Sequence, residues 1–168
     1  GVVGDDDLLH LLGEDLRRIR PRYVGPELRQ FPDGSTEGLW GERYNDIPYG
    51  DGLGTYPEAV YLPFAGLTDV GQLADLPFPS ADWYAYDTVE AQCDVLRDDA
   101  LVIGGAGDLD FMNGIARCRG VEQVLFDVAT ADPVYLELVE RRFQFFYEVA
   151  ERTLQAAHGK IHLLHCGE

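Results

Sequence analysis

The chain has 168 residues, a hydrophobic fraction of 46% and a formal net charge of -17. This length suits one domain with its own hydrophobic core. The negative charge excludes nucleic acids and anionic membrane surfaces as expected partners, because both attract basic patches. No apolar run approaches the ~18 residues that a membrane span needs, so we expect a cytoplasmic protein with no membrane contact.

The first half of the chain predicts a helix, a strand and a hairpin. "DDDLLHLLG" indicates a short helix, and "DLRRIR" indicates a strand that Pro21 stops. "LRQFPDGSTEGLWGERYNDI" predicts a β-hairpin around the turn "PDGS". Residues 50–87 are rich in Gly, Pro, Tyr and Asp, and we expect an irregular segment there with one strand at "TYPEAVYLPF".

The second half predicts helices that alternate with two buried strands. "TVEAQCDVLRD" indicates a helix, "ALVIGG" a strand, and "KIHLLHCGE" a last strand. Two helical pieces break near Gly120, and a long helix begins with Asp132 as its cap and ends at Gly159. The apolar stripe expected to face the core consists of Leu136, Val139, Phe143, Phe146, Val149, Ala150 and Leu154.

Alternating strands and helices indicate parallel strands, whose carboxyl ends meet at one edge of the sheet. Three segments follow the predicted strands at that edge: "RPRY", "GGAGD" and "HCGE". Ligands of parallel α/β proteins bind there. The sequence therefore predicts a site at this edge.

Four arginines occur within the six residues "RRIRPR", although the chain has a single lysine. Guanidinium groups suit bidentate recognition of carboxylate or phosphate. A solvated surface paired with nearby acidic residues is the alternative interpretation. The glycines of "GGAGD" likewise allow two interpretations: an anion cradle, or small residues that clear space for a substrate or for close packing.

His165, Cys166 and Glu168 are residue types that zinc accepts as ligands. Neighbouring residues of a strand point to opposite faces, so His165 and Cys166 share a metal only where the strand has ended. The alternative for Cys166 is a buried cysteine that packs as a small apolar side chain.

Several stretches resemble the uroporphyrinogen decarboxylase superfamily: "RPRYVGPELRQFPDGSTEGLWG", "RGVEQVLFDVATADP" and "IHLLHCGE". Within it, the chain is most similar to the decarboxylase-like branch that is grouped with corrinoid-dependent methyltransferases. The resemblance implies an α/β fold, a partial TIM-type (β/α)8 barrel with a β-hairpin insertion. Because such barrels need about 250 residues, we expect residues 1–168 to be the N-terminal part of a single barrel domain in a longer chain.

The resemblance implies an enzyme and leaves its reaction open. The leading interpretation is transfer of a methyl group from a small methylated donor to a corrinoid or thiol acceptor. The alternative is cofactor-free decarboxylation of a uroporphyrinogen-type tetrapyrrole. The decarboxylases' "RQAGR" signature is absent, and Arg22 stands near the position of their catalytic aspartate. A third interpretation is a non-catalytic interaction component that another chain completes.

The methyltransferase relatives bind zinc through a histidine, a cysteine two positions later and a distant second cysteine. Cys166 matches the first cysteine, while Leu164 occupies the place of the histidine and His165 follows it. The resemblance implies zinc and a corrinoid on a partner protein for methyl transfer, and no cofactor for decarboxylation. A homodimer is compatible with either reaction. The resulting candidates are His165 and Glu168 for catalysis, Cys166 and His165 for metal, and Arg20, Arg22, Tyr23, Gly104 and Gly105 for substrate binding.

Overall fold

The computed structural model describes residues 5–107 and 110–166, which form two compact units. The sheet unit contains residues 5–25, 81–107 and 146–166, and the hairpin unit contains residues 26–80 and 110–145. Helices and a parallel sheet are both present, so the predicted α/β class is confirmed. The described strands form sheets of three, two and three strands, and none of these sheets is closed.

The elements of the first half are, in chain order, α1 (Asp5–Leu11), β1 (Leu16–Arg18), β2 (Arg22–Tyr23), β3 (Thr36–Glu37), β4 (Arg43–Tyr49), β5 (Gly54–Tyr61) and two short 3-10 helices (Val70–Leu73 and Ala81–Trp83). Those of the second half are β6 (Tyr84–Ala85), α2 (Val89–Val95), β7 (Ala100–Gly107), α3 (Asn113–Arg119), α4 (Val121–Thr130), α5 (Pro133–Ala156) and β8 (Leu163–Cys166). No helix of the described ranges is long and apolar enough to cross a membrane.

The parallel sheet of the sheet unit has the strand order β1-β7-β8. One of its faces is buried, with a core formed by Ile19, Val89, Cys93, Leu101, Ile103, Ala150 and Ala157. Because successive side chains of a strand point to opposite faces, Arg18 and Arg20 lie on the other face from Ile19. Arg18 and Arg20 are both exposed. The basic residues predicted to end the first strand therefore lie on the open face of the sheet.

The hairpin unit contains three turns between antiparallel segments where the sequence predicted one hairpin, and one of them joins β3 to β4 through residues 38–42. The "PDGS" turn is present, closed by a bridge between Gln30 and Thr36. The longer hairpin pairs β4 with β5 around residues 50–53, a region expected to be irregular. Gly50 and Gly52 have φ values of 57° and 81°, which glycine adopts without the steric penalty of a side chain. The glycines that suggested a loop are the ones that allow this hairpin.

The break between α3 and α4 lies at Gly120, as predicted, where φ is 98°. The long helix α5 also begins as predicted, because Asp132 Oδ1 accepts hydrogen bonds from Val134 N (2.9 Å) and Tyr135 N (3.1 Å). Its expected core stripe was wrong in part. Leu136, Phe143 and Leu154 are exposed, whereas the buried side chains of α5 are those of Val134, Tyr135, Leu138, Phe145, Ala150 and Thr153.

Candidate anion-binding site

A groove of about 600 Å³ lies on the open face of the sheet unit. It brings together Arg20 and His165, two residues that the sequence predicts for the site and that are 145 positions apart in the chain. The groove is lined by Leu9, Glu14, Leu16, Arg17, Arg18, Arg20, Val102 and His165. Two exposed arginines, Arg18 and Arg20, stand against one glutamate in this lining, which makes the groove basic in a chain of net charge -17.

The arginines of the groove differ in their partners. Arg17 is buried, donates to the carbonyl oxygens of Glu14 and Leu16 (2.8 Å each), and lies 3.5 Å from a carboxylate oxygen of Asp99. Within residues 5–107 and 110–166, neither Arg18 nor Arg20 forms an ion pair with a carboxylate. Arg17 therefore supports β1 from inside, while the other two guanidinium groups are available to an anion in the groove.

Glu14 is less able to neutralise the groove than its charge suggests. Its carboxylate accepts a hydrogen bond from Leu16 N (3.0 Å), which holds it against the start of β1. Arg20 lies at the opposite end of the strand, and a strand rises about 3.3 Å per residue. Glu14 precedes β1 and Arg20 follows it, and no ion pair joins them among the described residues.

The main chain of Arg20 is held by a residue that the sequence analysis did not single out. Gln92 Nε2 donates to Arg20 O (2.9 Å), and Arg20 N donates to Gln92 Oε1 (3.4 Å). Gln92 lies on α2 between two residues of its buried stripe, Val89 and Cys93. In the sequence, the one indication of this contact is the position of Gln92 on the sheet-facing side of α2. The residue type gives no further indication, because glutamine is also common on solvated helix surfaces.

His165 lies opposite an irregularity in β7. Leu164 pairs with Ile103, and Cys166 pairs with Gly107. Between these pairs, β8 has one residue, His165, and β7 has three, 104–106. The extra residues of β7 form a bulge. Such bulges re-aim side chains and are frequent next to functional sites. Gly104 and Gly105 both lie in this bulge of β7, and their predicted role in substrate binding stays a prediction.

The start of β8 is fixed by His162. Its Nδ1 accepts a hydrogen bond from Leu101 N (2.9 Å), and its main-chain N donates to Leu101 O (2.9 Å). Accepting at Nδ1 leaves the ring proton on Nε2 when this imidazole is neutral. His162 therefore sets the register of β8, three residues before His165 in the groove.

Arg22 and Tyr23 do not line the groove with Arg20. Both lie in β2, which pairs with β6 rather than with the parallel sheet. The Arg22 guanidinium is 4.0 Å from Asp87, and both side chains are exposed. Tyr23 packs edge-on against the rings of Trp83 and Tyr84, at centroid distances of 6.5 and 5.6 Å. This placement favours an aromatic packing role for Tyr23.

The proposed metal ligands are described only in part. The main chain of Cys166 belongs to β8, and Glu168 lies outside the described residues. Among the described residues no group of three or more His, Cys, Asp and Glu side chains could hold a metal ion. The metal at Cys166 and His165 stays a prediction.

A second groove, of about 350 Å³, lies in the hairpin unit beside β5 and the ends of α3 and α4. It contains Arg117 and Glu58, so its charges offset one another. The basic groove of the sheet unit is thus the better candidate for an anionic ligand.

Comparisons with protein-family models, with curated proteins and with solved structures found no match for this chain.

Proposed function

We propose that the chain is part of an enzyme that binds a small molecule bearing carboxylates in the basic groove. Arg18 and Arg20 bind the carboxylates, and His165 exchanges a proton with the substrate. The observation that carries the proposal is that these three residues line one groove on the open face of a parallel sheet. Guanidinium–carboxylate hydrogen bonds are about twice as strong as neutral ones, which gives such a groove selectivity for anions.

The reaction that this groove supports best is cofactor-free decarboxylation of a tetrapyrrole with carboxylate side chains. The bond between a side-chain carbon and its carboxylate breaks, carbon dioxide leaves, and the electron pair stays on the carbon. A proton from the His165 imidazolium then completes the new C–H bond. Because His165 is exposed, solvent can return the proton. The arginines hold the remaining carboxylates and so fix the orientation of the substrate.

The proposal makes no use of the position near which the decarboxylases carry their catalytic aspartate, where this chain has Arg22. Arg22 is absent from the lining of the groove and is close to Asp87 on the surface. The resemblance to the uroporphyrinogen decarboxylase superfamily, and with it the partial TIM-type barrel, is part of the same proposal.

Methyl transfer is the second candidate, and the position of Cys166 favours it. Cys166 follows His165 at the carboxyl end of β8, and His165 lines the groove. A zinc-bound thiolate would be the expected chemistry there. Zinc quantified in the purified protein and in Cys166→Ser distinguishes the two candidates. Stoichiometric zinc that the variant loses supports methyl transfer, and zinc that the variant retains contradicts a ligand role for Cys166.

The test of the groove is binding of uroporphyrin, a stable oxidised tetrapyrrole carboxylate, followed by absorbance and fluorescence. We expect Arg18→Gln and Arg20→Gln each to weaken binding by about tenfold or more, the value of one charge-assisted hydrogen bond. Arg22→Gln is the matched control, an arginine of the same segment that lies outside the groove, and its Kd should not change. Turnover of uroporphyrinogen, followed by loss of carboxylates, then tests the reaction.

Equal effects of Arg20→Gln and Arg22→Gln would contradict the assignment of the groove. Absence of uroporphyrin binding to the wild-type protein would remove the decarboxylation proposal. Retained binding without turnover in any assay would instead favour the third interpretation, a non-catalytic binding component.

A further inference from the structure

The geometry points to Gln92 as a positioning residue that fixes Arg20 for anion binding, an inference that rests on the proposed function of the groove. Gln92 does not line the groove itself. Its side-chain amide instead hydrogen-bonds the main-chain N–H and C=O of Arg20, as a peptide group of a neighbouring strand would. Gln92 therefore acts on a bound anion through Arg20.

The parallel ladder ends one residue before Arg20. The last pairs of β1 and β7 are Arg17 with Leu101 and Arg18 with Val102, and Ile19 N then donates to Val102 O at 3.0 Å. Among the described residues, the pairing of β1 with β7 does not extend to Arg20. The N–H and C=O of Arg20 would therefore depend on solvent at the point where the groove needs a fixed guanidinium group.

Gln92 supplies both missing partners at once. A carboxamide has one acceptor and two donors, so it can bond the N–H and the C=O of the same residue. The remaining Nε2 hydrogen is directed to Thr88 Oγ1 at 3.2 Å, one helical turn earlier on α2. The amide is thereby oriented by its own helix before it contacts Arg20.

The helix that carries Gln92 is itself anchored in the core. Val89 and Cys93, which flank Gln92 on α2, are 0% and 1% exposed and belong to the core cluster beneath the sheet. On the other side of Arg20, Pro21 fixes its own φ and restricts Arg20 to extended conformations. The hydrogen bonds from Gln92 and the restriction by Pro21 thus limit the main-chain conformation of Arg20. This conformation sets the direction in which the side chain leaves the strand.

A long side chain amplifies a small main-chain displacement, because the guanidinium group lies several bonds from Cα. Loss of the Gln92 contacts is expected to leave the protein folded, since the core of α2 remains. It should also allow Arg20 to sample positions outside the groove. Binding then loses the advantage of a preorganised partner.

The experiment uses the complete chain and compares Gln92→Leu with Gln155→Leu, a matched change of an exposed glutamine in the same unit. Amide hydrogen exchange by NMR reports on Arg20 N–H, and uroporphyrin is the binding probe. In Gln92→Leu we expect exchange at Arg20 to be about fivefold faster and the Kd for uroporphyrin about fivefold higher, consistent with loss of one or two partly exposed hydrogen bonds. Gln155→Leu should change neither quantity, and exchange at Ile19 should remain slow in both.

A double-mutant cycle separates positioning from general structural support. If Gln92 acts through Arg20, adding Gln92→Leu to Arg20→Gln should not weaken binding further. Additive losses would overturn the inference, as would unchanged exchange at Arg20 or an unchanged Kd in Gln92→Leu. If the wild-type protein binds no uroporphyrin, the proposed function fails and the role of Gln92 in ligand binding fails with it. If the wild type binds and only the Gln92→Leu effect is missing, the role of Gln92 alone fails.

Discussion

Arg119 and Asp127 form a buried ion pair in the hairpin unit, with both side chains 2% exposed. Arg119 Nη1 also donates to Phe64 O (3.1 Å) and Leu67 O (2.9 Å), and Gln123 Nε2 donates to Asp127 Oδ1 (2.7 Å). One pair of side chains thus joins α3, α4 and the loop after β5. These further hydrogen bonds to the guanidinium and the carboxylate offset part of the free-energy cost of removing two charges from water.

Breaking this pair from one side should destabilise the protein strongly. We expect Asp127→Ala to lower the free energy of unfolding by about 3 kcal/mol, because it removes the nearer carboxylate of the buried Arg119 guanidinium and leaves the more distant Asp132, whose Oδ1 is 3.5 Å from Nη2. Urea unfolding followed by circular dichroism measures the loss. Glu122→Ala, an exposed change on the same helix, should stay within about 0.5 kcal/mol of the wild type. A loss below about 1 kcal/mol for Asp127→Ala would contradict the buried pair.

The same pair predicts a pH dependence of stability. Burial alone raises the pKa of Asp127, but hydrogen bonds from Arg119 and Gln123 outweigh it, so the folded pKa lies below the usual value of 3.8. The stabilisation is therefore complete above about pH 4 and is lost as the pH falls through the folded pKa. Asp127→Asn removes this titration. We expect the free energy of unfolding of the wild type to fall more steeply below pH 4 than that of Asp127→Asn, and parallel curves would refute the prediction.

Gly38 should be intolerant of any side chain. A Cβ at this position would overlap the carboxyl group of Glu42, which is 6% exposed. Glu42 cannot move freely, since it accepts hydrogen bonds from Trp40 N (2.8 Å) and Tyr44 Oη (3.0 Å). We expect Gly38→Ala to cost about 1–3 kcal/mol of stability.

Gly66→Ala is the matched control for that substitution. An added Cβ at Gly66 meets no atom within 4 Å, and its φ lies outside the left-handed region. Its thermal midpoint should remain close to that of the wild type, whereas the midpoint of Gly38→Ala should fall by several degrees. Equal midpoints for the two variants would show that Glu42 rearranges at little cost.

Cys93 and Cys118 should be protected from alkylation in the native protein. They are 1% and 2% exposed, and burial raises the pKa of both thiols, so little thiolate is present at pH 8. We expect iodoacetamide to modify each at least about tenfold more slowly in the native protein than in urea. Peptide mass spectrometry resolves the individual sites. Native labelling of either cysteine at the denatured rate would contradict its burial.

The site was predictable where it depended on the order of strand ends. The sequence placed Arg20 and His165 at the carboxyl ends of two parallel strands, and the fold brings both into one groove. Arg22 and Tyr23, only two and three residues after Arg20, were expected there and lie in β2 instead. Pro21 ends the first strand, and the direction of the chain after it depends on pairing with β6, a segment about 60 residues away.

The sequence by itself determined the α/β class, the cap of α5 at Asp132, the break at Gly120 and the arginine-rich strand end, because each follows from local chemistry. The tertiary structure decided which face of α5 is buried, since apolar residues occur on more than one side of this helix. It also decided that Gln92 holds Arg20, a contact across 72 residues that no local pattern specifies. The conformational preferences of neighbouring residues determine where helices and strands begin and end. Which side chains are buried, and which distant residues hydrogen-bond, is determined only when these helices and strands pack together.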